Sequence, residues 1–143
     1  MTDPYDLQRF VEAQEGIFEQ ALDELKAGSK QSHWMWFIFP QLAGLGRSST
    51  AQFYGIRSIE EARAYLAHPI LGARLRSCAE ALVPWAGRRS ALQILGPVDA
   101  LKLRSSLTLF DRLEPRSVFG ALLAAFFDGE PDERTLALLN GQA

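Results

Sequence analysis

Ser32-His33-Trp34-Met35-Trp36-Phe37-Ile38-Phe39-Pro40-Gln41-Leu42-Ala43-Gly44-Leu45-Gly46-Arg47-Ser48-Ser49 is the stretch on which the fold reading turns. It holds two of the three tryptophans and two of the nine phenylalanines, then breaks abruptly into a glycine loop. Trp34, Phe37 and Ile38 share one helical face, and Trp36 and Phe39 share another. An element apolar on several sides is buried on several sides. Pro40 ends it and biases Phe39 out of the α region. Aromatics also favour strands, but no partner strand stands out elsewhere. The expectation is a central core helix over residues 34–39 that also walls any binding site.

Working outward, the apolar periodicity of the flanking chain is helical. Leu7, Phe10 and Val11, then Ile17, Phe18, Ala21, Leu22 and Leu25, recur at that spacing. Gly16 divides the run, Asp6 is a fair N-cap, and Gly28 suits a left-handed C′ position. After the glycine loop, Ser48, Ser49 or Thr50 can cap a short helix ending at Gly55. Ser58-Ile59-Glu60-Glu61 has capping-box spacing. His68-Pro69 opens a helix with Pro69 at N1, its stripe formed by Leu71, Leu75, Cys78 and Leu82. Ser90, Pro97, Ser117 and Asp132 start four further helices. The sequence thus predicts an all-α fold: a compact multihelical single domain, residues 1–143, of about eight short helices around the aromatic-rich central one.

Composition bounds the function. A chain of 143 residues is one domain by size. Its net charge of −2 argues against a bulk electrostatic footprint for nucleic acid or anionic lipid. A single cysteine, Cys78, excludes an intramolecular disulfide, and two scattered histidines with it make no zinc set, so no metal and no cofactor are expected. Met1-Thr2-Asp3-Pro4 lacks the basic and apolar regions of a secretory leader, and no apolar run reaches the ~18 residues of a membrane span. A soluble, cytoplasmic protein is the expectation.

Two constellations carry candidate chemistry. In the first, Gly44 and Gly46 with Arg47, Ser48 and Ser49 form a glycine loop feeding a helix N-terminus, where backbone N–H groups favour phosphate. Neither the P-loop nor the dinucleotide spacing is met. In the second, Asp99, Lys102 and Ser106 lie at i, i+3 and i+7 on one side of one helix. The hydroxyl run Ser105-Ser106-Leu107-Thr108 is unusual in a helix middle, because such side chains compete for backbone hydrogen bonds. Trp34, Trp36 and Tyr54 are candidate stacking residues. His33 reads as packed, His68 as a cap and Cys78 as inert core.

The residues from Ser32 to Leu42, Gly44-Leu45-Gly46, Tyr54-Gly55-Ile56, His68-Pro69-Ile70-Leu71-Gly72 and the run from Asp99 to Phe110 resemble the bacterial Domain of Unknown Function 1810 family. The likeness extends from about Asp3 to Leu139, and W-x-W-F-x-F-P-Q is its most specific motif. It implies a mostly helical single domain and no established reaction. Some members carry a calpastatin-like label, which does not suit a packed chain. A fainter likeness, to the YbiA-like ADP-ribose glycosidases, falls on Ser49, Tyr54 and Lys102. Thr50 and Ala51 stand where that family has an acidic residue.

The functional expectation follows. Asp99, Lys102 and Ser106 are the candidate catalytic residues. Trp34, Trp36, Gly44, Gly46, Arg47, Ser48, Ser49 and Tyr54 are the candidate binding residues. They would hold a small nucleotide-like or phosphate-bearing ligand beside the aromatic helix, with hydrolysis as the accompanying chemistry. The alternative is a non-catalytic helical interaction module or homodimer, suggested by the apolar excess of residues 118–127.

Overall fold

Glycines, prolines and capping side chains divide the chain into short helices. The computed structural model describes residues 3–141; Met1 and Thr2, on which the leader reading partly rests, and Gln142 and Ala143 lie outside the described residues. The helices are α1 (Gln8–Gln14), α2 (Phe18–Lys26), α3 (Met35–Ile38), α4 (Ser49–Tyr54), α5 (Ile59–Ala67), α6 (Leu71–Leu82), α7 (Ala91–Leu95), α8 (Pro97–Leu113), α9 (Val118–Phe127) and α10 (Glu133–Asn140). Among the described residues there is no named strand, and no helix is long and apolar enough to cross a membrane.

The caps explain most of the boundaries. Ser48, Ser58, Ser90, Ser117 and Asp132 each accept a hydrogen bond from a first-turn N–H of the following helix. Gly28 has φ +69°, and the Gly28 and Ser29 N–H groups donate to the Leu25 and Glu24 carbonyls, which is a Schellman ending for α2. A Cβ on Gly28 would lie 2.6 Å from the Trp85 ring, so the turn needs glycine for space as well as for φ. Asp6 is not the cap of α1. Its own φ is +51°, and the Asp3 carboxylate instead accepts from the Leu7 and Gln8 N–H groups. Nor does Pro69 start α6: that helix begins two residues later, after a turn in which His68 Nδ1 accepts from the Ile70 and Leu71 N–H groups.

The aromatic stretch forms a single turn, α3, which touches α1, α4, α6 and α8 and so sits among four neighbours. Phe39 leaves the helical region at φ −121°, ψ 75°, as the following proline requires. The long scaffold is α8, whose residues from Ser105 to Phe110 are all buried. Rings run through the core from Phe10 to Tyr65, Phe110 and Phe119, with centroids 5.1–5.7 Å apart, a spacing typical of favourable aromatic pairs.

Two polar anchors tie these elements together, the first buried in the core and the second half-buried beside it. The Arg9 guanidinium is 2.7 Å from the Glu61 carboxylate, with both side chains almost wholly buried. Its other N–H groups donate to the carbonyls of Tyr5, Asp6, Phe53 and Gly55, tying α1 to the end of α4 and the start of α5. Glu61 therefore does not complete the capping box at Ser58; its second oxygen accepts from the Arg57 N–H. The second anchor is Glu24. It accepts from the N–H groups of Gln31 and Ser32, from Ser32 Oγ and from Trp34 Nε1, at 2.6–3.0 Å. Burial alone would raise its carboxyl, but these donors outweigh burial and bring the pKa down to about 2.

Glu61→Ala leaves a buried guanidinium unpaired and is expected to cost about 3–5 kcal/mol, read as a lower urea midpoint. For Glu24 the folded pKa lies below its ordinary 4.5, so its stabilisation is complete above that value and is lost as pH falls towards about 2. Glu24→Gln should lose about 1 kcal/mol at neutral pH, a solvent-screened contribution, and show a shallower acid limb in thermal melts between those two pH values.

Candidate functional site

The glycine loop and the first half of α8 face each other across a cleft of about 200 Å³. It is lined by Trp36, Gln41, Leu45, Gly46, Val98, Leu101, Lys102, Ser105 and Arg134. The loop is clamped at its base by a parallel bridge, in which the Ile56 N–H donates to the Gln41 carbonyl and the Ala43 N–H to the Ile56 carbonyl. Gly46 lies against Trp36 and Ala51: a Cβ there would meet the Ala51 methyl at 2.7 Å. Arg134, on α10, donates to the Gly44 carbonyl at 3.3 Å and pins the loop from outside.

Charge in the cleft is arranged by alternating partners. Lys102 Nζ lies 3.8 Å from the centre of the Trp36 ring and 3.2 Å from Asp99 Oδ1. The other Asp99 oxygen is 2.8 Å from Lys30 Nζ, which in turn sits over the Trp34 ring. Burial pushes the Asp99 carboxyl up, but the hydrogen bonds and charges of Lys30 and Lys102 prevail and hold it below the ordinary value. Asp99 is thus a fixed anion shared by two lysines.

Gln41 is a polar side chain of the cleft wall without a partner. It is 9% exposed, lines the cleft, and its side-chain amide has no hydrogen-bond partner among the described residues. Its amide is not sealed from solvent, so its donors are open to water or to a ligand in the cleft.

The candidate residues distribute as follows. Trp36, Gly46 and Lys102 line the cleft, and Asp99 touches it through Lys102. Gly44 takes part through its carbonyl. Trp34 is 1% exposed and bound to Glu24, so it supports the site from beneath. Arg47, Ser48 and Ser49 are exposed and outside the lining, and Ser48 Oγ is occupied as the α4 cap. Tyr54 packs among Phe10, Phe37 and Phe53. Ser106 is buried in the core, its Oγ without a partner. Ser105 lines the cleft in its stead, donating to the Leu101 carbonyl.

The α8 face on the cleft is therefore Val98, Leu101, Lys102 and Ser105. It is rotated by about one residue from the 99–102–106 row. Gln41 had a signal in the sequence, a polar residue directly after the aromatic run and its proline. Arg134, on the last helix, had none. Elsewhere, burial pushes the Cys78 thiol up to about 12, which leaves it protonated. Among the described residues no three His, Cys, Asp or Glu side chains gather as a metal-binding group.

Comparison with known proteins follows the same geometry. The crystal structure of the conserved hypothetical protein Rv1873 from Mycobacterium tuberculosis superposes with a TM-score of 0.93 at 51% sequence identity, covering 96% of this chain and 99% of that one. No curated protein matches the chain. The sequence pattern of the family described as "Protein of unknown function (DUF1810)" matches residues 4–139, nearly the whole fold, from just after Asp3 into the last turn of α10. The chain therefore belongs to the DUF1810 family of proteins of unknown function.

Proposed function

We propose that the cleft between the glycine loop and α8 binds a small ligand carrying a phosphate or similar anion. The observation that carries this reading is Gln41, a 9% exposed residue whose amide presents open donors on the wall that also bears Lys102 and Arg134. An amide and two cations on one concave surface are a set of donors suited to an anion. Trp36 and Lys102 come to the reading from the sequence motif. Arg47, Ser48 and Ser49 contribute less than the motif implied, because they lie outside the lining.

The reading is one of binding rather than hydrolysis. Asp99 is occupied by two lysines, Ser105 already donates to a backbone carbonyl, and Ser106 lies in the core. The nucleotide-like ligand has weaker support than the phosphate, since drug-sized ligands occupy roughly 300–1,000 Å³ and this cleft is about 200 Å³. The interaction-module alternative has less in its favour. On α9 the residues Phe119, Leu122 and Leu123 point inward, and the exposed positions are the small Ala121, Ala124 and Ala125.

A thermal-shift series with inorganic phosphate, glycerol 3-phosphate and adenosine monophosphate tests the reading. A ligand at a hundred times its Kd adds about 2.7 kcal/mol of stability, which raises Tm by several degrees. Lys102→Ala and Gln41→Ala should each weaken the response by about tenfold in Kd. A wild-type melting curve unmoved by all three compounds at millimolar concentration would exclude the proposal.

A further inference from the structure

We infer that the cleft is built for a dianionic phosphate monoester with a short apolar substituent; this narrows the ligand class of the proposal above and rests on it. The first argument is charge. The cleft and its ion-pair partners hold Lys30, Lys102 and Arg134 against the single carboxylate of Asp99, which leaves two positive charges. One of them is available only because of Lys30. Its side chain is 8% exposed and lies behind Asp99, so it neutralises a carboxylate that would otherwise cancel Lys102. A carboxylate or a phosphate diester brings one negative charge to this site, whereas a monoester brings nearly two, its second pKa being about 6.

The second argument is the number of open donors. Of the three Lys102 protons, one faces Asp99 and one the Trp36 ring, leaving one for the cleft. Arg134 has five N–H donors and uses one, on the Gly44 carbonyl. Gln41 adds two. This supply exceeds what the two free oxygens of a diester or a carboxylate engage well, and it suits the three terminal oxygens of a monoester.

The third argument is the lip. Val98 and Leu101 are 64% and 63% exposed, one helical turn apart, and they line the cleft together with Leu45. Large apolar side chains this exposed, bordering a charged concavity, favour a ligand whose ester group is itself apolar. The cleft's volume of about 200 Å³ keeps that group short.

Titration calorimetry at about pH 8, where the monoester is a dianion, separates the alternatives. The probes are n-butyl phosphate, its methyl diester and inorganic phosphate. Butyl phosphate should bind at least about tenfold more tightly than the diester. It should also bind about threefold to tenfold more tightly than inorganic phosphate, an advantage that the surface substitution Leu101→Gln removes. Lys30→Met, which touches no ligand atom, should weaken butyl phosphate about tenfold, and Lys30→Met with Asp99→Asn should restore it by returning the net charge to its original value. Equal affinity for monoester and diester, no advantage over inorganic phosphate, or an unaffected Lys30→Met protein would overturn the inference while the anion site stands. Absence of binding by any of the three probes would overturn both.

Discussion

Everything in the aromatic half of the molecule depends on the Glu24 carboxylate. A buried tryptophan brings an indole N–H into the core, and a sharp chain reversal before it leaves backbone N–H groups with no helical partner. Glu24 answers both needs at once, taking the Gln31 and Ser32 N–H groups, the Ser32 hydroxyl and Trp34 Nε1. With those donors satisfied, Trp34 can lie 1% exposed and α3 can begin immediately after it. The indole N–H of the buried Trp34 is the costly one of these to leave unsatisfied, at about 1–3 kcal/mol. Arg9 plays the parallel part for the other half, closing the carbonyls left open where α1, α4 and α5 meet.

The cleft inherits its geometry from these anchors. Fixing Trp34 fixes Lys30 above its ring, Lys30 holds one oxygen of Asp99, and Asp99 holds Lys102 over Trp36. Each member of this row is attracted to both of its neighbours, so the ammonium at the cleft is oriented before any ligand arrives. A preoriented group loses less freedom on binding, and affinity gains accordingly. The parallel bridge between Leu42 and Ile56 does the same for the loop opposite, since it joins the two ends of the segment that carries the glycine loop and α4.

Much of this was legible in the residues themselves. Helical spacing, Gly28, the serine caps and Asp132 located most element ends, because local caps are decided by local chemistry. The aromatic run was correctly read as buried and central, and Pro40 as its end. What could not be read was which long-range partner would claim a given polar group. Glu61 has capping-box spacing, but a guanidinium 52 residues away takes one of its oxygens. Asp6 looks like a cap, but Asp3 reaches the same N–H groups from one turn earlier. On α8 the row 99–102–106 is a genuine helical face. The cleft is set by where the loop and Arg134 lie, however, and that rotates the working face to residues 98, 101, 102 and 105. Periodicity specifies that a helix has faces; only packing decides which face meets which neighbour.

The three tryptophans also make the molecule its own spectroscopic instrument. Trp34 is sealed in the core against a carboxylate, Trp36 lies under an ammonium at the edge of the cleft, and Trp85 is half-buried with its indole N–H on the Leu25 carbonyl and Arg88 over its ring. Indole emission shifts with nearby charge and polarity, and these three rings see a negative group, a positive group and a solvent-facing guanidinium. Fluorescence from one chain therefore reports three regions separately once two of the rings are replaced by phenylalanine. The ring beside Lys102 is the one whose colour follows any movement of that ammonium.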